Sequence, residues 1–276
     1  MLIVDIQAHI WTSPRPAGPP DDPWPHRRLP AFTKDDLLLE MQAAGVHRAM
    51  IVPIPWENED YALQTAAEDP ARFAVLGRVA LTRDPGEAQF EKLRHRPGMR
   101  GLRLALSTPP VQAMLKDGTI DWLWAAAERA DMPIGMNVPG VVSQVGGIAE
   151  RHPGLKLTIG HLGTPRADTH TKDAAAFAHL PDLLALAKYP NVAVGASSLP
   201  FYSSQAYPFR NLDPYLHRVF DAFGPTRIFW GSDLTRLPCS YRQCVTHFTE
   251  ELRFLSDSDK ELIMGRALCR WLGWPE

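Results

Sequence analysis

The stretch Leu2-Ile3-Val4-Asp5-Ile6 opens the chain with a short apolar run rich in β-forming residues, and the polar residues Gln7 and His9 follow directly. Seven further runs of this kind occur along the chain. All are nearly continuous in apolar residues, which is typical of parallel strands buried on both faces of a sheet. The eight runs span residues 2–6, 48–53, 74–80, 101–106, 133–138, 156–160, 192–195 and 227–231.

Stretches with a helical pattern lie between these runs, among them residues 34–44, 60–68, 121–130 and 174–188. Gly45 follows the first of them, where a glycine often ends a helix. Eight strand-and-helix units in about 250 residues predict an α/β fold, the (β/α)8 TIM barrel, with residues 1–276 as a single domain. A doubly wound open sheet is the alternative, but no glycine-rich phosphate-binding loop follows a strand run.

The composition argues against several classes of protein. A formal net charge of −2 provides no basic field for nucleic acid or anionic lipid. No apolar run approaches the roughly 20 residues that cross a bilayer, and the first residues lack the pattern of a signal peptide. The three cysteines, Cys239, Cys244 and Cys269, contain no CxxC pair and indicate reduced thiols. We therefore expect a soluble, cytoplasmic protein that acts on a small molecule.

Two connections are longer than usual and are candidates for lids or binding loops. Residues 13–29 follow the first strand and contain six prolines, so a stiff excursion without function is the alternative. Residues 197–211 follow the seventh strand, and their aromatic residues favour a role facing the substrate over surface packing. These are Phe201, Tyr202, Tyr207 and Phe209. Trp11, Trp24 and Trp56 follow the first two strands and are candidates for a substrate wall.

Polar residues stand at the ends of most strand runs, and a barrel brings these ends together at its C-terminal face. The candidate site residues are Gln7, His9, Arg78, Arg103, Asn137, His161, Asp233 and Arg236. Because arginine binds carboxylates through two parallel hydrogen bonds, Arg78 and Arg103, joined by Arg236, predict a carboxylate on the substrate. A structural ion pair is the alternative for each of the first two.

Three segments resemble motifs of the amidohydrolase-related family (amidohydrolase 2). Val4-Asp5-Ile6-Gln7-Ala8-His9 is similar to its first-strand motif, D-x-H-x-H. Thr158-Ile159-Gly160-His161 is similar to the sixth-strand motif, and Trp230-Gly231-Ser232-Asp233 to the eighth. The motifs occur in the family's order and span nearly the whole chain. The resemblance implies a barrel hydrolase, similar to lactonases of the 2-pyrone-4,6-dicarboxylate type.

The chain departs from the family pattern at two positions that concern metal binding. Gln7 replaces the first histidine of the pair, and Asn137 stands where a metal-binding histidine is expected. Neutral amides are poor replacements for the nitrogen, thiolate and carboxylate ligands that zinc prefers. We therefore expect no cofactor, with zinc or manganese as the alternative.

By this resemblance, the predicted activity is hydrolysis of a carboxylated lactone or a similar cyclic ester. Asp233 would take a proton from the attacking water, and His161 and His9 would polarise the carbonyl group. Gln7 and Asn137 would donate hydrogen bonds to the substrate, unless they form only a satisfied polar layer. One alternative is a metal-dependent decarboxylase or hydratase of the same family, and another is a non-catalytic binding protein. A homo-oligomer is left open.

Overall fold

In the computed structural model, eight parallel strands form one sheet in chain order and curve into a barrel with helices between them, a (β/α)8 TIM barrel. The structure describes residues 1–14, 30–82, 86–166 and 170–276. Most of the predicted loop 13–29, with Trp24, lies outside the described residues. The strands are β1 Val4–Ala8, β2 Arg48–Ile51, β3 Phe73–Arg78, β4 Met99–Ala105, β5 Ile134–Asn137, β6 Leu157–Ile159, β7 Val192–Ala196 and β8 Ile228–Trp230.

The helices lie between and after the strands. They are α1 Lys34–Ala44, α2 Glu59–Glu68, α3 Ala88–Arg94, α4 Pro109–Lys116, α5 Asp121–Arg129, α6 Val145–Arg151, α7 Asp173–Ala176, α8 Leu180–Leu184, α9 Asp213–Phe223, α10 Tyr241–Thr246, α11 Asp257–Glu261 and α12 Ala267–Leu272. Short 3-10 turns follow several strands, among them Gly160–Gly163 after β6, Leu199–Tyr202 after β7 and Leu234–Arg236 after β8. In the described part of the chain, no helix has the length and apolar character needed to cross a membrane.

Local sequence explains where the helices begin and end. Thr33 and Asp36 form a reciprocal capping box at the start of α1, and Gly45 ends it in the left-handed conformation at φ 77°. The stretch 174–188, for which the sequence predicts helical structure, is helical in separate pieces. Two short helices, α7 and α8, and a 3-10 turn occupy this stretch. Pro181 lies in the first turn of α8, where its missing N–H costs nothing, but it cannot continue a helix from the preceding residues.

Backbone and side-chain hydrogen bonds close the barrel between β8 and β1. Among the described residues, no ladder pairs these two strands. The backbone N–H of Asp233 donates to the carbonyl oxygen of Gln7 (2.9 Å), and the buried Asp5 carboxylate accepts hydrogen bonds from the backbone N–H groups of Gln7 (2.8 Å) and Ser232 (2.9 Å). The hydroxyl groups of Ser232 and Tyr241 also donate to it. Burial raises the pKa of Asp5 to about 6, although these hydrogen bonds lower it. Asp5 thus ties the end of β1 to the loop that carries Asp233.

Candidate active site

A cavity of about 430 Å³ opens at the C-terminal ends of the strands. Of the eight candidate site residues, all except Arg78 line it. Its wall consists of Gln7, His9, Val52, Pro53, Ile54, Pro55, Trp56, Arg103, Ala105, Asn137, His161, Asp233 and Arg236. The barrel therefore brings together seven of the eight side chains, although they come from strands far apart in sequence.

Asp233 lies at the centre of the polar contacts and is fully buried. Its Oδ2 accepts hydrogen bonds from Ser198 Oγ (2.6 Å) and Arg236 Nη1 (2.8 Å). Its Oδ1 lies 3.2 Å from His9 Nε2. Burial alone would raise the pKa of Asp233, but the Arg236 guanidinium, the strongest opposing group, holds it well below its usual range. The carboxylate is therefore ionised at any pH near neutrality.

His9 places a second proton acceptor beside Asp233. Its Nδ1–H donates to the carbonyl oxygen of Val52 (2.6 Å), which leaves Nε2 without a proton in the neutral ring. Nε2 then accepts from the Gln7 amide nitrogen at 3.0 Å. In that state no donor from the described residues reaches Asp233 Oδ1. Nε2 and Oδ1 therefore form an adjacent pair of atoms that can each receive a proton.

His161 is held as a neutral ring. Its Nδ1 lies 2.8 Å from Ser197 Oγ and 3.2 Å from Ser198 Oγ, and its Nε2 lies 3.5 Å from Arg103 Nη2. Because arginine can only donate, Nε2 is the acceptor and the ring proton is on Nδ1. Burial, together with the nearby charges of Arg103 and Arg236, lowers the pKa of His161 to about 3 against the opposing effect of Asp233. The prediction that His161 polarises a carbonyl conflicts with this arrangement, since its one N–H is committed to serine.

Arg103 brings a positive charge into the cavity. Burial lowers the pKa of Arg103 to about 10, against the opposing effect of Asp233, so the guanidinium stays charged at neutral pH. No carboxylate in the described ranges forms an ion pair with it. A Cβ atom on Gly160 would lie 2.8 Å from Arg103 Nη1, so the absence of a side chain at Gly160 leaves the room that this guanidinium occupies.

Arg236 is 5% exposed, and its guanidinium lies over the ring of Phe201 at 5.1 Å as well as against Asp233. Lys172 lies over the same ring at 4.7 Å. The four aromatic residues of the loop 197–211 are absent from the cavity lining formed by the described residues. Their contacts favour packing over the predicted role facing the substrate: the ring of Phe201 packs against the Arg236 guanidinium, and Tyr202 donates to the carbonyl oxygen of Pro165 at 2.8 Å.

Arg78 is the predicted residue that the barrel does not bring into the site. It is level with Arg103 in the β3–β4 ladder, but its Nη2 donates to the carbonyl oxygen of Glu57 (3.1 Å) and its Nε lies 3.7 Å from Glu59 Oε2. The contacts favour the alternative that we weighed from the sequence, a structural ion pair.

Ser197 and Ser198 are site residues that the sequence analysis missed. They follow β7 directly, so the rule that selected the other strand ends would have selected them too. Ser198, His161 and Asp233 all have positive φ angles, at 60°, 54° and 56°. Such conformations are unfavourable for residues other than glycine and are often found at functional sites. Here they turn three polar side chains towards one another.

Comparison with known proteins identifies the family. The amidohydrolase family model matches residues 4–268. The chain belongs to the amidohydrolase family. An L-fucono-1,5-lactonase of Burkholderia ambifaria is 27% identical over 237 residues, which cover 83% of this chain and 79% of that protein. This chain is therefore an enzyme of a hydrolase family.

Two solved structures have a similar fold. An amidohydrolase from Burkholderia multivorans with bound zinc superposes with a TM-score of 0.80 at 23% identity, covering 100% of both chains. A candidate 2-pyrone-4,6-dicarboxylic acid hydrolase from Pseudomonas putida superposes with a TM-score of 0.74 at 21% identity, covering 100% of this chain and 98% of that one.

The zinc in the first of these structures raises the question whether the residues here fit a divalent cation. Structural and catalytic zinc sites use at least three histidine, cysteine or carboxylate ligands. Within residues 1–14, 30–82, 86–166 and 170–276, no three such side chains come together. His9 and Asp233 are adjacent, but Arg103 faces the free nitrogen of His161 and Arg236 occupies one oxygen of Asp233. This donor set does not fit a tightly held divalent cation.

Proposed function

We propose that this enzyme hydrolyses a lactone whose ring carries a carboxylate, with Asp233 as the general base and without a metal ion. The observation that carries the proposal is the pair formed by Asp233 Oδ1 and His9 Nε2, 3.2 Å apart at the wall of the cavity. Ser198 and Arg236 hold the other oxygen of Asp233, so Oδ1 is oriented for a water molecule. A lactone is more reactive than an amide and needs less electrophilic assistance.

The proposed reaction begins when water, bound at Asp233 Oδ1, gives up a proton as its oxygen attacks the lactone carbonyl carbon. The low pKa of Asp233 makes it a weak base, and the adjacent Nε2 of His9 provides a second acceptor for the same proton. Arg103 and the Asn137 amide are the donors available to the resulting oxyanion. The ring C–O bond then breaks, and the proton passes to the leaving oxygen to give a hydroxy acid.

The relatives support the choice of a cyclic ester. The curated relative is named as a lactonase, and one fold neighbour carries the name of a pyrone hydrolase. The cation of Arg103 supports a carboxylate on the substrate, because a half-buried guanidinium with no ion-pair partner in the described ranges gains most from an anionic ligand.

We expect Arg103→Gln to raise KM for a carboxylated lactone by at least about tenfold, because a charge-assisted hydrogen bond is lost. For the methyl ester of the same lactone, KM should change little. Arg100→Gln is the matched control, since Arg100 lies in the same strand and its side chain instead contacts the carbonyl oxygen of Gly273. An equal change in KM for the acid and the ester would contradict the assignment.

The function itself is tested with a series of carboxylated five- and six-membered lactones, after dialysis of the protein against a chelator. Hydrolysis is followed by acid release at constant pH. Turnover that survives the chelator supports the proposal. Activity that returns only with zinc or manganese would overturn the metal-free reaction, and carbon dioxide release from carboxylated aromatic acids would favour the decarboxylase. Ligand binding without any turnover would favour the non-catalytic alternative.

A further inference from the structure

One side of the cavity consists of consecutive apolar residues. Residues 52–56, which we call the apolar wall, read Val-Pro-Ile-Pro-Trp and follow β2 directly. All five line the cavity. Val52 and Ile54 are buried, and Trp56 is half-buried. Among the described residues, the Val52 carbonyl oxygen is the backbone atom of this wall that contacts a catalytic group, and it already accepts from His9. The apolar wall therefore offers a ligand hydrocarbon surface rather than polar side chains.

Several contacts hold the apolar wall in one conformation. Pro53 and Pro55 restrict the backbone. Trp56 packs edge-on against Trp11 at 6.2 Å, and Trp11 in turn contacts Phe32 at 5.8 Å. Immediately after the wall, Glu57 accepts hydrogen bonds from the backbone and hydroxyl groups of Thr12, at 2.6 and 2.9 Å. These contacts preorganise the surface, so little conformational entropy is lost when a ligand binds to it.

The remainder of the cavity is polar. Asp233, His9, Arg103 and Asn137 come from other strand ends, and the Asn137 amide has no hydrogen-bond partner in the described part of the chain. A ligand that satisfies both sides must place its reacting, carboxylated edge towards these residues and a hydrocarbon face towards Trp56. A polyhydroxylated ring would place hydroxyl groups against Val52 and Ile54, where they find no partner, and burying an unpaired hydroxyl is unfavourable.

The geometry points to a substrate with a hydrocarbon face, such as an aryl-fused or alkyl-substituted lactone, that lies on Trp56. The inference rests on the proposed function and narrows it, because it disfavours polyhydroxylated sugar lactones. Trp56 is then the residue that determines specificity. An apolar pocket discriminates against an added hydroxyl group by up to about 10²-fold, so the preference should be measurable.

The test compares two six-membered lactones, dihydrocoumarin and L-fucono-1,5-lactone, and their hydrolysis products. Neither lactone carries the ring carboxylate of the proposed substrate, so the comparison isolates the effect of the hydrocarbon face. We expect the value of kcat/KM, divided by the uncatalysed rate, to favour dihydrocoumarin by at least about tenfold. The products, 3-(2-hydroxyphenyl)propanoate and L-fuconate, both carry a carboxylate, and their Kd values are measured by calorimetry. The aryl acid should bind at least about tenfold more tightly, and Trp56→Ala should abolish this difference.

Trp122→Ala is the matched control, because Trp122 contacts Phe90 on the outer helices and does not line the cavity. It should leave both Kd values unchanged. Trp56→Leu keeps an apolar side chain and provides a second variant in case Trp56→Ala does not fold. It should reduce the preference for the aryl acid.

Two results would overturn the inference: tighter or equal binding of L-fuconate, or an unchanged preference in both Trp56 variants. If neither acid binds, the inference is also overturned. If the aryl acid binds as expected but neither these lactones nor the carboxylated series is hydrolysed, the hydrolase proposal fails. The inference that the apolar wall binds a hydrocarbon face is then still supported. If sugar lactones are preferred, the hydrolase proposal stands and the inference fails.

Discussion

Replacement of Asp233 by asparagine is expected to lower kcat for lactone hydrolysis by about 10²–10⁴-fold, which is the usual contribution of a general base. Asparagine keeps the size of the side chain and is among the residues that tolerate the left-handed backbone, with φ 56° at this position. It cannot take a proton from water. KM should change less than kcat, because the proposed carboxylate contact is to Arg103.

Asp182→Asn is the control, since Asp182 is an exposed residue of α8 and the substitution removes the same charge. Its kcat should match that of the wild type. Thermal unfolding separates lost chemistry from lost structure, because Asp233→Asn also leaves Arg236 without its anionic partner. Full turnover by a folded Asp233→Asn protein would exclude Asp233 as the base and leave His9 Nε2 as the acceptor to examine.

The barrel was predictable from sequence because its strands have to be apolar on both faces. Each of the eight predicted runs overlaps one observed strand, and the order along the sheet is the chain order. The division of residues 174–188 into separate helical pieces was not predictable from the pattern of apolar residues. Alanine and leucine favour a helix locally, but Pro181 and the turn at Phe177–His179 interrupt it, and the packing of α7 and α8 decides where each piece lies.

The sequence predicted most of the residues that line the candidate site, but it predicted fewer of the contacts between them. The strand-end rule selected His9, Arg103, His161 and Asp233, all of which line the cavity. It could not separate Arg103 from Arg78, because the two are level in neighbouring strands and differ only in what surrounds them. Glu59, in a different unit of the chain, lies within reach of Arg78.

Hydrogen-bond direction was also beyond the sequence. Nothing in the motif around His161 indicates that Arg103 would occupy the acceptor on its Nε2 or that Ser197 would take its Nδ1 proton. Nor does the motif around His9 reveal the carbonyl oxygen of Val52 as the partner of Nδ1. These contacts join residues from different strands, and they determine which ring nitrogen of each histidine is left as an acceptor.

We expect kcat/KM of the Arg236→Gln variant to fall at acid pH because Asp233 becomes protonated, an effect that the wild type does not show. In the wild type, Arg236 is the main cause of the low pKa of Asp233, so this carboxylate stays ionised throughout a profile of kcat/KM between about pH 4 and 9. Without the guanidinium, burial raises the pKa of Asp233 with less opposition. The base is then protonated as the pH falls, and an acid limb due to Asp233 appears, a contribution that is absent from the wild type.

The same substitution should reduce the free energy of unfolding by about 3–5 kcal/mol near neutral pH, because it breaks a buried ion pair at one partner. A depressed carboxylate pKa contributes stability above the pKa of the unfolded chain, and that contribution is lost as the pH falls through the folded value. The difference between wild type and variant should therefore shrink in acid. Arg227→Gln is the control: Arg227 donates to the carbonyl oxygens of Tyr189 and Val192, so its loss should cost stability without moving the acid limb. If both variants kept the wild-type pH profile, Asp233 would not be the group whose ionisation governs the reaction.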